Sequence, residues 1–266
     1  MPPSDIEGLQ FLFAEEFPAE QEQQCIYGLM RRKHMSREEA LGVHPKYEQQ
    51  LCLLRSEEGL RRLLASSRSG ITQYRRQQTN ATCGVASMAM VLASVSGRML
   101  SDEAMLDEGI FAVRKDTLMR EGMTLVQLHD SCRRMGWDTV IARPRSVTEL
   151  ENLLAHSEDL LILNYDMTAA GQVPWGGHFA PIGGYHEETG SVLVLDPWPY
   201  TEPVWIDLEK IVGSTQGCDK KSGEPRGILR IAVSRVSSVI CSDFTARSDT
   251  TGKRHVLQNS ATVGDF

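Results

Sequence analysis

The sequence has no stretch approaching the ~18 consecutive apolar residues that a membrane-spanning helix needs. Its start, Met1-Pro2-Pro3-Ser4-Asp5-Ile6-Glu7, is acidic, with neither a basic n-region nor a long apolar run, so neither signal peptide nor membrane anchor is expected. Excess positive charge is also missing. The formal net charge is −7, which excludes the general basic footprint of a nucleic-acid or anionic-membrane binder. The local basic clusters, Arg31-Arg32-Lys33, Arg75-Arg76 and Lys220-Lys221, are short and read as solvated faces. The six cysteines, Cys25, Cys52, Cys83, Cys132, Cys218 and Cys241, lie far apart. There is no C-x-x-C pair and no His–Cys cluster at zinc spacing, so no protein metal site is expected. A disulfide framework is not expected of a cytoplasmic chain of this size, and cytoplasmic is the location expected. Five of the cysteines read as small buried or half-buried hydrophobes. Cys83 stands apart because of its neighbours.

What is present centres on Gln77-Gln78-Thr79-Asn80-Ala81-Thr82-Cys83-Gly84-Val85-Ala86-Ser87. A polar, extended run carries a glutamine, then a cysteine–glycine step, then an apolar run of helical character. That run meets no Pro or Gly until Gly97, which reads as a C-cap. Cys83 is therefore expected at or just before a helix N-terminus, a position that favours thiolate over thiol. A buried structural cysteine gains nothing there; a nucleophile does. Gln77 can aim an amide N–H at the oxygen of a tetrahedral intermediate, with the backbone N–H of Cys83 as second donor.

The chain of 266 residues can bury a full core. Residues 1–50 are Glu/Gln-rich and read as an N-terminal extension, helical or partly disordered. Residues 51–236 form the expected catalytic domain, and 237–266 a polar, disordered tail. Tyr47 to Leu64 has the pattern of an amphipathic helix or helix pair, and residues 101–119 that of a helix capped by Ser101. Thr124 caps another, with Leu125, Leu128, Cys132 and Met135 on one face. Thr139 to Ala142 reads as a short strand and Val147 to Ala155 as a helix with Glu149 completing its cap. The texture then turns to β. Leu160 to Tyr165, Gly176 to Tyr185, Ser191 to Asp196, Val204 to Asp207 and a closing strand from Gly227 to Val233 are expected. Helices first and sheet second means α+β.

A histidine on a strand is more often structural than catalytic, and an Asp before Pro is more often a turn residue. His178 and Asp196 gain meaning jointly with Cys83. Register decides whether they share a face. A plain hairpin closed at His186 and Ser191 would point them to opposite faces; a one-residue bulge reverses this, and Gly183-Gly184 accommodates one at little cost. Given the bulge, Asp196 accepts from one ring nitrogen of His178 while the other faces Cys83. His34, His44, His129, His156, His186 and His255 carry no such neighbours.

At these residues the chain resembles the phytochelatin synthases, papain-like glutathione γ-glutamylcysteinyltransferases. The matching motifs are Gln77 with Cys83-Gly84, Ser87-Met88-Ala89-Met90-Val91-Leu92, Gly177-His178-Phe179-Ala180-Pro181-Ile182-Gly183-Gly184-Tyr185-His186 and Leu193-Val194-Leu195-Asp196. The glycine–histidine motif also suits bacteriocin-processing peptidase domains. The resemblance implies a papain-like fold, with a helical lobe whose nucleophile helix packs on a C-terminal antiparallel sheet. It implies Cys83 as nucleophile, His178 as base and then acid, Asp196 as its orienter and Gln77 in the oxyanion hole. It implies that Arg226 and Asp219 hold a γ-glutamyl head group, roles that suit a guanidinium fork and a carboxylate. The implied partner is the small molecule glutathione, with neither nucleic acid nor membrane. A homodimer is the assembly to test. No tightly bound cofactor is implied, and cadmium or zinc would act as metal–glutathione thiolates.

One departure bears on activity. Members of the family carry an Arg and a Tyr-Pro-Pro run after the catalytic Asp, implicated in placing the second substrate. Here Pro197-Trp198-Pro199-Tyr200 follows, without Arg, which implies hydrolysis outrunning chain extension. The alternatives are a papain-like peptidase with a peptide substrate and a partner-binding pseudoenzyme; the latter predicts a disrupted triad.

Overall fold

The computed structural model describes residues 51–68, 71, 73–155, 158–172, 176–199 and 201–232, together with Ser36. The expectations for the 1–50 extension, the 237–266 tail, Cys25 and Cys241 lie outside the described residues. In chain order the elements are β1 (Cys52–Leu53), α1 (Glu57–Ala65), β2 (Ser67–Arg68), α2 (Cys83–Ser96), α3 (Asp102–Asp107), α4 (Lys115–Glu121), α5 (Leu125–Arg134) and β3 (Thr139–Ala142). Then follow α6 (Val147–Ala155), β4 (Leu160–Asp166), β5 (Gly177–His186), β6 (Ser191–Val194), β7 (Val204–Asp207), α7 (Leu208–Gln216) and β8 (Gly227–Ile231).

The strands pair in the order β1-β7-β6-β5-β4-β8-β3, with β2 added beside β5. Every pairing is antiparallel. Both faces of this sheet are covered, and the period of two decides which residue goes where. Leu160, Ile162, Phe179, Leu193, Leu229 and Ile231 join the core formed with α2 and α5. Their alternates, Leu161, Leu163, Tyr165, Ala180, Ile182, Val192 and Ile228, pack with Leu150 of α6 and Leu208, Ile211 and Val212 of α7. This is why β4 is a continuous apolar run rather than an alternating one.

Helix α2 is apolar all round because every residue from Gly84 to Ala93 is buried. It packs against β5 and ends in the left-handed conformation at Gly97 (φ 71°). The expected cap of α5 is a full capping box between Thr124 and Gln127. Ser146 caps α6 through Glu149 N–H, while the Glu149 carboxylate accepts from Arg145 N–H instead of closing the box.

The structure corrects four expectations. The described part of the Tyr47–Leu64 pattern, from Leu51, is helical only from Glu57; Cys52–Leu53 is a strand paired with β7, and Ser56 caps α1 by accepting from Gly59 N–H. The helix expected over 101–119 is two helices, α3 and α4, with Gly109 at a positive φ of 66° between them. The strand at Gly227 does not close the sheet; β8 lies inside it, between β4 and β3. Helices and sheet are not wholly sequential, since β1 and β2 precede α2 yet pair with β7 and β5. The α+β class stands.

Gly59 shows how tightly α1 is set on the sheet. A Cβ there would lie 2.0 Å from the Leu53 carbonyl oxygen and 2.7 Å from that of Leu54, and Trp205 Nε1 donates to the Gly59 carbonyl. Gly59→Ala is therefore expected to lower stability by about 3 kcal/mol, the upper range for overpacking against backbone. Urea unfolding checks it; an unshifted midpoint would contradict this packing.

Candidate active site

The register of β5 against β6 positions the site. His186 pairs with Ser191 and Gly184 with Leu193, but Ile182 pairs with Val194, so one extra residue lies in β5 between Ile182 and Gly184. That residue is Gly183, where a Cβ would approach Leu195 side-chain carbons at 2.9–3.1 Å. The bulge that the sequence required is present. It puts Asp196 on the face of His178, and His178 Nε2 lies 2.7 Å from Asp196 Oδ1.

Both groups are sealed from water: His178 is 2% exposed and Asp196 0%. A buried carboxylate persists only when its lone pairs are used. Asp196 Oδ1 also accepts from Trp198 N–H at 2.9 Å, and Oδ2 accepts from Gln172 Nε2 at 2.7 Å. Burial pushes the Asp196 carboxyl up, but the His178 charge and hydrogen bond, with those from Trp198 N–H and Thr201, outweigh it, so the group is held below the usual carboxylate range. The His178 ring stands edge-on to Tyr165 and to Trp198, each with centroids 5.8 Å away. Two aromatic edges and one carboxylate thus fix its orientation.

Cys83 is the first residue of α2, half-buried, with Thr82 as N-cap. Its N–H has no acceptor within the helix. Gly84 lets the Met123 thioether close over the helix start, since a Cβ would lie 2.8 Å from Met123 Sδ. The Cys83 sulfur lies near enough to His178 to be among the causes that raise the imidazole, as an acceptor for its ring N–H. Burial disfavours the charged ring, yet Asp196 and Cys83 override it and lift His178 from 6.5 to about 10. With Nε2 committed to Asp196, Nδ1 is the nitrogen left for sulfur.

Gln77 is 3% exposed. Its backbone N–H donates to the Pro197 carbonyl, which ties the loop before Cys83 to the residue after Asp196. Its Nε2 donates to the Thr79 carbonyl at 2.7 Å. This bond fixes which end of the amide is nitrogen and occupies one of its two N–H groups, leaving the second for an oxyanion.

Cys83 opens onto a cleft of about 810 Å³ that is also lined by Asn164, Gly177, Cys218, Asp219 and Arg226. The cleft therefore holds the expected Arg226 and Asp219 together with Cys83. Arg226 is 8% exposed and its buried Nε has no hydrogen-bond partner among the described residues. Its guanidinium lies over Gly177, where a Cβ would sit 2.5 Å from both terminal nitrogens. Asp219 Oδ1 accepts from Lys221 N–H and shapes the turn that returns the chain to Arg226. Cys218 departs from the expectation of a buried or half-buried hydrophobe: it is exposed, at the rim of this cleft.

Sequence reasoning missed two contributors. Gln172, 1% exposed, supplies the second bond to Asp196, and nothing local in the sequence marks it. Asn164 had a signal, as the one amide in the apolar run of β4. Its Nδ2 donates to the His178 carbonyl at 3.2 Å, and its buried Oδ1, in a residue that lines the cleft, has no partner among the described residues.

Because the folded value of His178 lies above its ordinary one and that of Asp196 below its own, the pair's contribution to stability is full from the ordinary carboxylate value of 3.8 up to pH 6.5. It declines from there to about 10 and is lost above. The gap in unfolding free energy between the parent and Asp196→Asn is thus expected to be widest near pH 6 and to shrink toward pH 10. Urea titrations across that window measure it, and a gap indifferent to pH would contradict the ion pair.

Comparison with known proteins follows this geometry. A family model described as phytochelatin synthase matches residues 46–228. A glutathione gamma-glutamylcysteinyltransferase of Schizosaccharomyces pombe is 26% identical over 206 residues, 70% of this chain and 48% of that protein. One of Triticum aestivum is 30% identical over 187 residues, 63% of this chain and 36% of that protein. The chain thus spans about half, or less, of the length of the curated relatives it matches. Among solved structures, that of a C39-like peptidase from Bacillus anthracis superposes with a TM-score of 0.44 at 15% identity, covering 63% of this chain and 97% of that one.

Proposed function

The chain belongs to the phytochelatin synthase family, and from that premise we propose that it is a papain-like, cysteine-dependent acyltransferase that cleaves the Cys–Gly bond of glutathione. The observation that carries the reading is the meeting of two sets of groups in one cleft. One is the Cys83 sulfur on the cleft wall, backed by the buried His178–Asp196 pair; the other is a buried guanidinium whose Nε has no partner among the described residues, with the Asp219 carboxylate lining the same cleft. The first set breaks an acyl bond. The second suits the free α-carboxylate and α-ammonium of a γ-glutamyl head group.

In the first step the Cys83 sulfur, its proton already on His178, attacks the carbonyl carbon of the cysteinyl–glycine bond. The carbonyl oxygen takes the electron pair, and the free Gln77 N–H and the Cys83 backbone N–H donate to it. The intermediate collapses, the C–N bond breaks, and His178 gives its proton to the departing glycine amine. A γ-Glu-Cys thioester remains on Cys83. In the second step His178 takes a proton from water or from the amine of another glutathione as it attacks the thioester. Sulfur leaves, and the product is γ-Glu-Cys or a chain one γ-Glu-Cys unit longer. Asp196 stabilises the imidazolium and keeps Nε2 occupied throughout.

No resident cofactor is proposed; among the described residues no group of three His, Cys, Asp or Glu side chains is placed to hold a metal. Cadmium or zinc enters as the glutathione thiolate, part of the substrate. The stretch after Asp196, Pro197-Trp198-Pro199-Tyr200, carries none of the family's Arg, so water is proposed as the favoured acceptor.

Incubating the protein with glutathione, with and without cadmium, and weighing the products tests the proposal. γ-Glu-Cys and glycine are expected in excess over the longer chain, and Cys83→Ala is expected to give neither. Arg226→Gln is expected to raise KM for glutathione roughly 10- to 100-fold, the worth of a charged hydrogen bond. No turnover by the parent would sink the glutathione reading and favour a peptide substrate.

A further inference from the structure

Asp102 is a buried carboxylate outside the triad, 2% exposed, at the start of α3. Its contacts go to the residues on either side of the proposed oxyanion donors. Oδ2 accepts from Gln78 N–H at 2.7 Å and from the Thr82 hydroxyl. Oδ1 accepts from Arg75, whose guanidinium also donates to the Leu100 carbonyl. In return, Gln78 Oε1 accepts from Asp102 N–H at 3.1 Å. Gln78 follows Gln77 and Thr82 precedes Cys83, so one carboxylate oxygen ties together both ends of the loop that presents the two donors. Beside the tie from Gln77 N–H to the Pro197 carbonyl, the loop's other bonds are internal and centre on Thr79 and Thr82.

We propose that Asp102 is a positioning residue for acyl transfer: through Gln78 and Thr82 it sets the distance between the Gln77 amide and the Cys83 N–H. It touches neither substrate nor sulfur. The proposal deepens the acyl-transfer reading and rests on it. Three features point to positioning rather than to bulk stability. The carboxylate spends its bonds on the loop and not on a helix of its own lobe. Its charge is cancelled by Arg75, so it adds no negative field to the oxyanion. A fixed donor pair is worth most when its geometry is set before reaction, and a displacement of about 1 Å can cost ~100-fold.

The test compares two reactions of the same sulfur. Alkylation of Cys83 by iodoacetamide requires a nucleophilic sulfur but no oxyanion donors; acyl transfer requires both. Asp102→Asn keeps the shape but replaces one acceptor oxygen by a donor. It is expected to lower kcat for glutathione cleavage about 100-fold, with KM changed less than about 3-fold because Asp102 is not among the residues that line the cleft with Arg226 and Asp219. The alkylation rate is expected to stay within about 3-fold of the parent's, the same mild tolerance. Thr82→Val removes one arm and leaves Arg75 paired, which keeps the test open should Asp102→Asn not fold; an intermediate loss of kcat is expected. Equal losses of alkylation and acyl transfer in both variants would overturn the proposal in favour of a structural role, and unchanged kcat would overturn it outright. If the parent does not act on glutathione, the head-group reading has failed, and p-nitrophenyl acetate replaces it as acyl donor. The same divergence from alkylation is then expected, and its absence overturns the positioning role alone.

Discussion

The structure depends on keeping a carboxylate charged where no water reaches it. Asp196 is fully buried, and an isolated carboxylate there would protonate rather than pay the desolvation cost. It stays ionised because the imidazolium of His178, the Gln172 amide and the Trp198 N–H surround it. Each of those partners comes from a different place in the chain. Only a sheet with the β5 bulge can deliver His178 and Asp196 to one face, and only the turn after β4 brings Gln172 above them.

The Cys83 side is held by the same kind of constraint. Helix α2 is buried on all sides and so cannot shift without opening the core. Its first residue is Cys83, and the loop before it is tied to the triad through Gln77 N–H and the Pro197 carbonyl. Tyr74 donates its hydroxyl to the Asp196 carbonyl, a second strap between the same two segments. Helix and sheet are thereby coupled next to the reacting atoms, while the cleft remains open toward Asp219 and Arg226.

Much of this was legible in the sequence, for stated physical reasons. The apolar run after Cys83 announced a buried helix with its start at the cysteine. The run Leu160–Tyr165 announced a strand covered on both faces, and the pairing of His186 with Ser191 required a bulge at the double glycine if His178 and Asp196 were to meet. Other features were not legible because they are long-range. Cys52–Leu53 took the strand conformation only because β7 offers an edge, and an apolar run that short has no period of its own. The break at Gly109 gives way to tertiary packing that a helical pattern does not reveal. Gln172 and the Asp102 network depend on which loops lie together, which spacing along the chain does not encode. Family resemblance located Arg226 and Asp219; the structure adds that both line the cleft of Cys83 and that the Arg226 Nε is buried without a partner.

The proposed function stands or falls with acyl transfer through Cys83. Mixing the protein with glutathione, quenching in acid within milliseconds to seconds and mapping the adduct by peptide mass spectrometry tests it most directly. A γ-Glu-Cys thioester on Cys83, forming in the parent and absent in His178→Ala, is the result predicted. Product appearing with no adduct, or with the adduct on another residue, would contradict it.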